Sequence, residues 1–150
     1  MESSNRHEVV QQQYKTTDNL NTRISIHTKY STNKEGFGNW IFSHYDICPG
    51  SKILELGCGT GDMWNSKLHL VENGASLTLT DFSENMVAAV KEAFAAYAQV
   101  SCDVVNIEAV SYADSSYDVA IANMMLYHVP DLHKGLSEVR RVLKADGCFY

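Results

Sequence analysis

Lys52-Ile53-Leu54-Glu55-Leu56-Gly57-Cys58-Gly59-Thr60-Gly61 decides how the rest of the chain folds. Lys52 to Leu56 reads as a buried strand, a short apolar run closed by a turn signal. Glycines at 57, 59 and 61 let the backbone bend sharply and let a ligand approach with no Cβ in the way. Residues 62–73 are predicted to be a helix, closed by Asn73-Gly74. Its first turn would offer free N–H groups just beyond the glycines.

The same alternation continues outward. Ser76 to Thr80 is a second predicted strand. Ser83 is a good N-cap for a helix with Met86, Val87, Val90, Phe94 and Tyr97 at helical spacing. A strand follows near Val100 to Cys102. A polar turn at Asp114-Ser115-Ser116 leads into another at Tyr117 to Ala122. Asp131 caps a helix with Leu132, Leu136, Val139 and Leu143 on one stripe. Gly147 then opens the run Cys148-Phe149-Tyr150, where the chain stops. Strands alternating with helices imply an α/β fold, a doubly wound and mostly parallel sheet covered on both faces.

Residues 49–150 form that domain in this reading, and residues 1–48 a helical leader. Residues 1–16 are polar and expected to be frayed or loosely helical. Asp18 is placed to cap a helix bearing Leu20, Ile24 and His27. Gly36-Phe37-Gly38 reads as a turn, and Trp40, Ile41 and Tyr45 as a short helix ended by Pro49-Gly50. A strand that begins at Gly147 has lost its continuation, so the chain is expected to be a fragment lacking the last strands of its sheet. An unpaired edge near the fourth and fifth strands would invite self-association.

Composition narrows the function classes. Of 150 residues, 45% are hydrophobic and 20% charged, enough apolar material for a core. The net charge is -6, from 12 Lys+Arg against 18 Asp+Glu. Only Arg140, Arg141 and Lys144 cluster, so nucleic acid is not the expected partner. Cys48, Cys58, Cys102 and Cys148 form no CxxC pair, which points to reduced thiols and a cytoplasmic location. No apolar stretch follows the first residues, so no signal peptide is expected. The longest apolar run, Val119 to Tyr127, is too short to span a membrane, and no membrane partner is expected.

Asp81 stands twenty residues beyond Gly61, just after the second strand. In an open parallel sheet, ligands bind at the carboxyl ends of the strands where strand order reverses. An acidic side chain there can accept hydrogen bonds from ribose hydroxyls. Nicotinamide dinucleotides favour GxGxxG. Here the sixth position is Asp62, whose charge would repel a pyrophosphate. The GxGxG spacing suits a nucleoside without phosphate, such as S-adenosylmethionine. A sharp turn with no ligand is the plainer alternative.

Ile53 to Gly61 resembles the first motif of the class I S-adenosylmethionine-dependent methyltransferases. Leu79-Thr80-Asp81-Phe82-Ser83-Glu84-Asn85-Met86 resembles their second, and Cys102-Asp103-Val104 is similar to the segment after their third strand. Tyr117 to Met124 with Leu126-Tyr127-His128-Val129-Pro130-Asp131 resembles the fourth-strand motif. Arg140 to Gly147 resembles the lead-in to the fifth strand. Upstream, Thr22 to His27, Lys29 to Asn33 and Gly36-Phe37 resemble a leader of a bacterial branch that helps close the cofactor pocket. Ala145-Asp146 replaces the usual Pro-Gly, and Tyr127 stands where His is frequent.

The resemblance implies a Rossmann-like core, S-adenosylmethionine as cofactor and a methyl acceptor. It implies that Gly57, Gly59 and the backbone around Cys58 line the methionine part, with Glu55 near its ammonium. Asp81 would take the ribose hydroxyls. Phe82 and Val104 would sandwich the adenine, and Asp103 would bind its amine. Asn123 and Met124 would lie near the transferring methyl, Tyr30 would shield the methionine end, and Gly61 and Met86 complete the expected contacts. Each has a plainer rival: Glu55 pairing elsewhere, Asp81 or Asp103 closing a turn, Phe82 and Tyr30 simply packing. His128 is a weak candidate general base, since a histidine before Pro130 is usually structural. His128 and His133 lack a third ligand, so no metal is expected.

Asn123 is followed by Met124-Met125-Leu126 rather than by two prolines and an aromatic, which favours a small-molecule acceptor over a base or glutamine. The acceptor itself is not identified. A non-catalytic S-adenosylmethionine-binding module and a nicotinamide-dependent oxidoreductase domain are the alternatives.

Overall fold

A computed structural model describes residues 35–150 together with Thr22, Ser25, Ile26 and residues 29–33. Asp18, Leu20, Ile24 and His27 lie outside the described residues. The elements are α1 (Phe37–Phe42), β1 (Lys52–Leu56), β2 (Ser76–Asp81), α2 (Glu84–Ala93), β3 (Val100–Val104), β4 (Tyr117–Ile121), α3 (Leu132–Val142) and β5 (Leu143–Phe149). The five strands form one sheet in the order β3-β2-β1-β4-β5. Every pairing is parallel. Strand order reverses between β1 and β4, so the glycine bend after β1 opens where ligands bind in such sheets.

Both faces of the sheet are covered. Ile53 of β1 joins Phe42, Trp64, Leu77, Leu79, Val90 and Phe94 on one side. Its neighbours Leu54 and Leu56 join Val105, Ile107, Val139 and Val142 on the other. Two-sided burial is why β1 is apolar at consecutive positions. Each such side chain, fully buried, contributes about 1.5–3 kcal/mol. Phe42 belongs to the core of the sheet itself, so α1 packs on the same body. Among the described residues no helix is long and apolar enough to cross a membrane.

Several local expectations are corrected. Residues 62–73 form two short 3-10 turns, Asp62–Trp64 and Leu68–Val71, instead of a helix. Thr60 donates its hydroxyl to Asp62 at 2.7 Å, and the Asn65 amide donates to the same carboxylate at 3.3 Å. Such local bonds compete with helix formation. Trp64, Leu68 and Val71 are buried nonetheless. The helix predicted through Tyr97 ends at Ala93, with Phe94 as its C-cap. Gly38 lies inside α1, and Gly36, at φ 76°, makes the bend before it. The inner face of α3 is Gly135, Val139 and Val142, whereas Leu132 and Leu136 are exposed.

The last strand begins at Leu143 rather than Gly147. Leu143 pairs with Tyr117 and Cys148 with Val119, so the residues between bulge out of register. Lys144 anchors this bulge by donating to Asp118 at 2.5 Å.

Candidate cofactor site

The site grows out of β1. Gly57, Gly59 and Gly61 have φ of 71°, 58° and 71°, a left-handed conformation that costs other residues about 1–2 kcal/mol. The alternation turns the chain back across the end of β2, where the Cys58 N–H donates to the Thr80 carbonyl at 2.8 Å. Asp81 completes the hold. Its carboxylate accepts the Gly59 N–H at 3.0 Å and the Ser83 N–H at 2.8 Å. One side chain therefore ties the glycine bend to the start of α2, whose N-terminus Ser83 caps by accepting from Met86 N–H. Burial raises the Asp81 pKa above the usual carboxylate range, opposed by the N–H groups of Ser83, Gly59 and Phe82.

The bare backbone at Gly57 and Gly61 makes room for protein. A Cβ on Gly57 would stand 2.8 Å from Cβ and Cγ of Met125, and one on Gly61 would stand 2.9 Å from Phe94 Cε2. At these two positions neighbouring side chains stand against the bend, which adds to the left-handed φ as a reason for glycine.

Glu55 lies beneath the bend, only 3% exposed. Trp64 Nε1 donates to one carboxylate oxygen at 2.5 Å. Asn123 Nδ2 donates to the other at 3.4 Å. Tyr45 in turn donates its hydroxyl to Asn123 Oδ1 at 2.8 Å. All three donors are neutral. Burial pushes the Glu55 pKa up to about 7, the Trp64 and Asn123 hydrogen bonds pull it down, and the nearby Asp81 charge raises it. The Cys58 thiol is also pushed up by burial, with Glu55 and Asp81 adding to the effect. It stays neutral and poorly nucleophilic near pH 7.

Four strand ends converge. Glu55 pairs in register with Leu79 and Ile121, and Asp81 with Val104. Gly57 to Gly61, Asp81, Phe82, Asp103, Val104, Asn123 and Met124 therefore sit at the carboxyl ends of adjacent strands. Phe82 is half-buried. Val104 is 49% exposed, and Asp103 is exposed, accepting the Tyr112 hydroxyl at 2.8 Å. Met124 is 68% exposed and holds φ 53°, unusual for a side chain of its size. Met86, in the first turn of α2, is buried in the core. Tyr30 is 69% exposed, with Lys29 Nζ 5.3 Å from its ring centre. His128 is half-buried beside the Tyr127 ring, at 4.3 Å between centroids.

Sequence reasoning missed Tyr45, Trp64 and Met125 as members of this cluster. Trp64 carried only the helical spacing of a core residue. Tyr45 lies 78 residues from its partner Asn123, and nothing local announces that contact.

Comparison with known proteins agrees with this geometry. Residues 54–150 match the family described as Methyltransferase domain. The chain is 33% identical over 143 residues to the demethylmenaquinone methyltransferase of Shouchella clausii (strain KSM-K16), covering 94% of this chain and 59% of that protein. It is similar to the trans-methyltransferase CalH, solved in complex with SAH: 29% identity, TM-score 0.61, covering 67% of this chain and 31% of that one. A SAM dependent methyltransferase from Aquifex aeolicus shares the fold at 18% identity and TM-score 0.66, covering 80% of this chain and 66% of that one. The chain spans 59%, 58% and 56% of the length of three curated relatives it matches.

Proposed function

This chain belongs to the methyltransferase domain family, and from that premise we propose that it binds S-adenosylmethionine and serves methyl transfer to a small-molecule acceptor. The observation that carries the reading is Asp81, a carboxylate at the switch point that already grips the Gly59 backbone. A carboxylate has about four lone-pair sites, so accepting these N–H groups leaves it able to take ribose hydroxyls as well. In this reading Phe82 and Val104 flank the adenine, and Asp103 receives its amine. Gly57, Gly59, Gly61 and the Cys58 backbone face the methionine portion, with Glu55 as the counter-charge for its ammonium. Asn123 and Met124 stand by the reacting methyl. Met86 supports the adenine side from within α2.

A sulfonium methyl is already electrophilic, so the protein's share of the chemistry is to hold an acceptor in line and exclude water. In this reading Tyr30, in the leader, shields the methionine end. The acceptor in the relatives' names is demethylmenaquinone. An apolar small molecule is the class we assign here, and the exposed Met124 and Tyr127 offer it apolar surface. The four free cysteines support a reducing, cytoplasmic setting.

Dinucleotide binding is disfavoured by the same loop. Asp62 is exposed immediately after the glycines, and the 3-10 turn it begins is only 3 residues long. A pyrophosphate would meet a negative charge and no helix N-terminus to receive it. Calorimetric titration tests the proposal. Heat of binding with S-adenosylhomocysteine and none with NAD is the expected outcome; the reverse would place the chain among dinucleotide binders.

A further inference from the structure

We propose that Tyr45 is a positioning residue whose hydroxyl, acting through the Asn123 amide, fixes the Glu55 carboxylate that receives the cofactor's ammonium. The inference rests on the proposed function for the identity of that cation, and on geometry for the rest. Tyr45 follows α1 in the leader, whereas Glu55 lies in β1 and Asn123 follows β4. The bonds from Tyr45 to Asn123 and from Asn123 to Glu55 join these three parts of the chain. Trp64 closes the other side of the carboxylate. Among the described residues no ion pair includes Glu55.

A buried carboxylate with only neutral donors is incomplete, because burying a charge costs several kcal/mol unless it is paired. Among the described residues the titratable groups facing it are Tyr45, Cys58 and Asp81, and none of these brings positive charge. Burial holds the Tyr45 hydroxyl up at about 12, so it remains a donor throughout the neutral range. With Tyr45 in place, the Asn123 carbonyl oxygen is occupied and its N–H group is turned to Glu55. Without that hydroxyl the amide is free to rotate, and the carboxylate loses a donor that favours its charged form. The Tyr45 ring is held separately, 5.1 Å from Phe42 and 5.0 Å from Tyr150 between centroids. Tyr45→Phe therefore removes the hydroxyl and leaves the packing.

The sequence contains two tryptophans, and Trp64 bonds directly to Glu55. Its fluorescence reports the charge on that carboxylate. Trp40, 4.6 Å from the His44 ring, would add a second emission unrelated to Glu55, so the measurement uses a Trp40→Phe background. In the unliganded chain, emission against pH should show a midpoint near 7. Tyr45→Phe should move it upward by about half a unit or more, and Asn123→Ala in the same direction. Tyr150→Phe removes only the hydroxyl that accepts the Asp46 N–H, and should leave the midpoint in place. An unmoved midpoint in a folded Tyr45→Phe or Asn123→Ala protein would overturn the role of Tyr45. Adding S-adenosylhomocysteine should lower the midpoint, since a cation favours the charged carboxylate. If the variants shift the midpoint but this ligand does not, Tyr45 positions Glu55 for some other cation, and the proposed cofactor fails separately.

Discussion

Asp81→Ala is expected to weaken binding of S-adenosylhomocysteine by about 100-fold or more, because two sets of interactions go at once. The first set is with the ligand. Hydrogen bonds to a charged group contribute about 1.5–3 kcal/mol each, and a ribose diol offers two. The second set is within the protein. The Asp81 carboxylate anchors the Gly59 N–H and the Ser83 N–H, so alanine releases the middle of the glycine bend and its link to the start of α2. A donor left unsatisfied in a partly buried place costs about 1–3 kcal/mol. The variant should therefore also melt several degrees below the wild type. Asp81→Asn keeps one acceptor oxygen and should fall between the two in both respects. Calorimetry and thermal melting check this. Equal affinity in the wild type and Asp81→Ala would remove Asp81 from the site.

The second large effect is on stability against pH. Glu55 has its pKa raised by burial to about 7 in the folded chain, against an ordinary 4.5. Between those values the native state holds a proton that the unfolded state has released. Stability is therefore greatest below about pH 4.5 as far as this group is concerned, and falls as pH rises towards and through 7. A raise of this size corresponds to about 3 kcal/mol in order of magnitude. Glu55→Gln cannot ionise, and its carbonyl oxygen still accepts from Trp64. It is expected to remove this fall, so that the variant exceeds the wild type at pH 8.5 and not at pH 5. The same variant should bind S-adenosylhomocysteine at least about tenfold more weakly, since a neutral amide replaces the counter-charge. Urea denaturation at the two pH values checks the first part. Parallel losses of stability in both proteins would show that Glu55 is not the group responsible.

How far the sequence could be read depended on whether the controlling contacts were local. β1 was legible to the residue, because an apolar run ending in glycines leaves one interpretation. Ser83 and Asp131 were legible as caps, because capping is a matter of three residues. The placement of Asp81 beside the bend followed from β1 and β2 being neighbours, which alternation of strands and helices makes ordinary. The 62–73 segment was misjudged because Trp64, Leu68 and Val71 share a face in either a helix or two 3-10 turns, and side-chain bonds from Thr60 and Asn65 to Asp62 settled it. Leu132 and Leu136 looked like core because their spacing is helical. The inner face instead uses Gly135, which packs against Val129 and Ile107. The ladder from Tyr45 to Glu55 was invisible because it joins residues brought together only by the finished sheet.

A crystal structure of the chain with S-adenosylhomocysteine tests the central claim most directly. The account predicts ribose hydroxyls about 2.5–3.0 Å from the Asp81 carboxylate, with the amino group of the ligand directed to Glu55. Ligand bound elsewhere under saturating conditions, with Asp81 contacting only the backbone of Gly59 and its own neighbours, would contradict it.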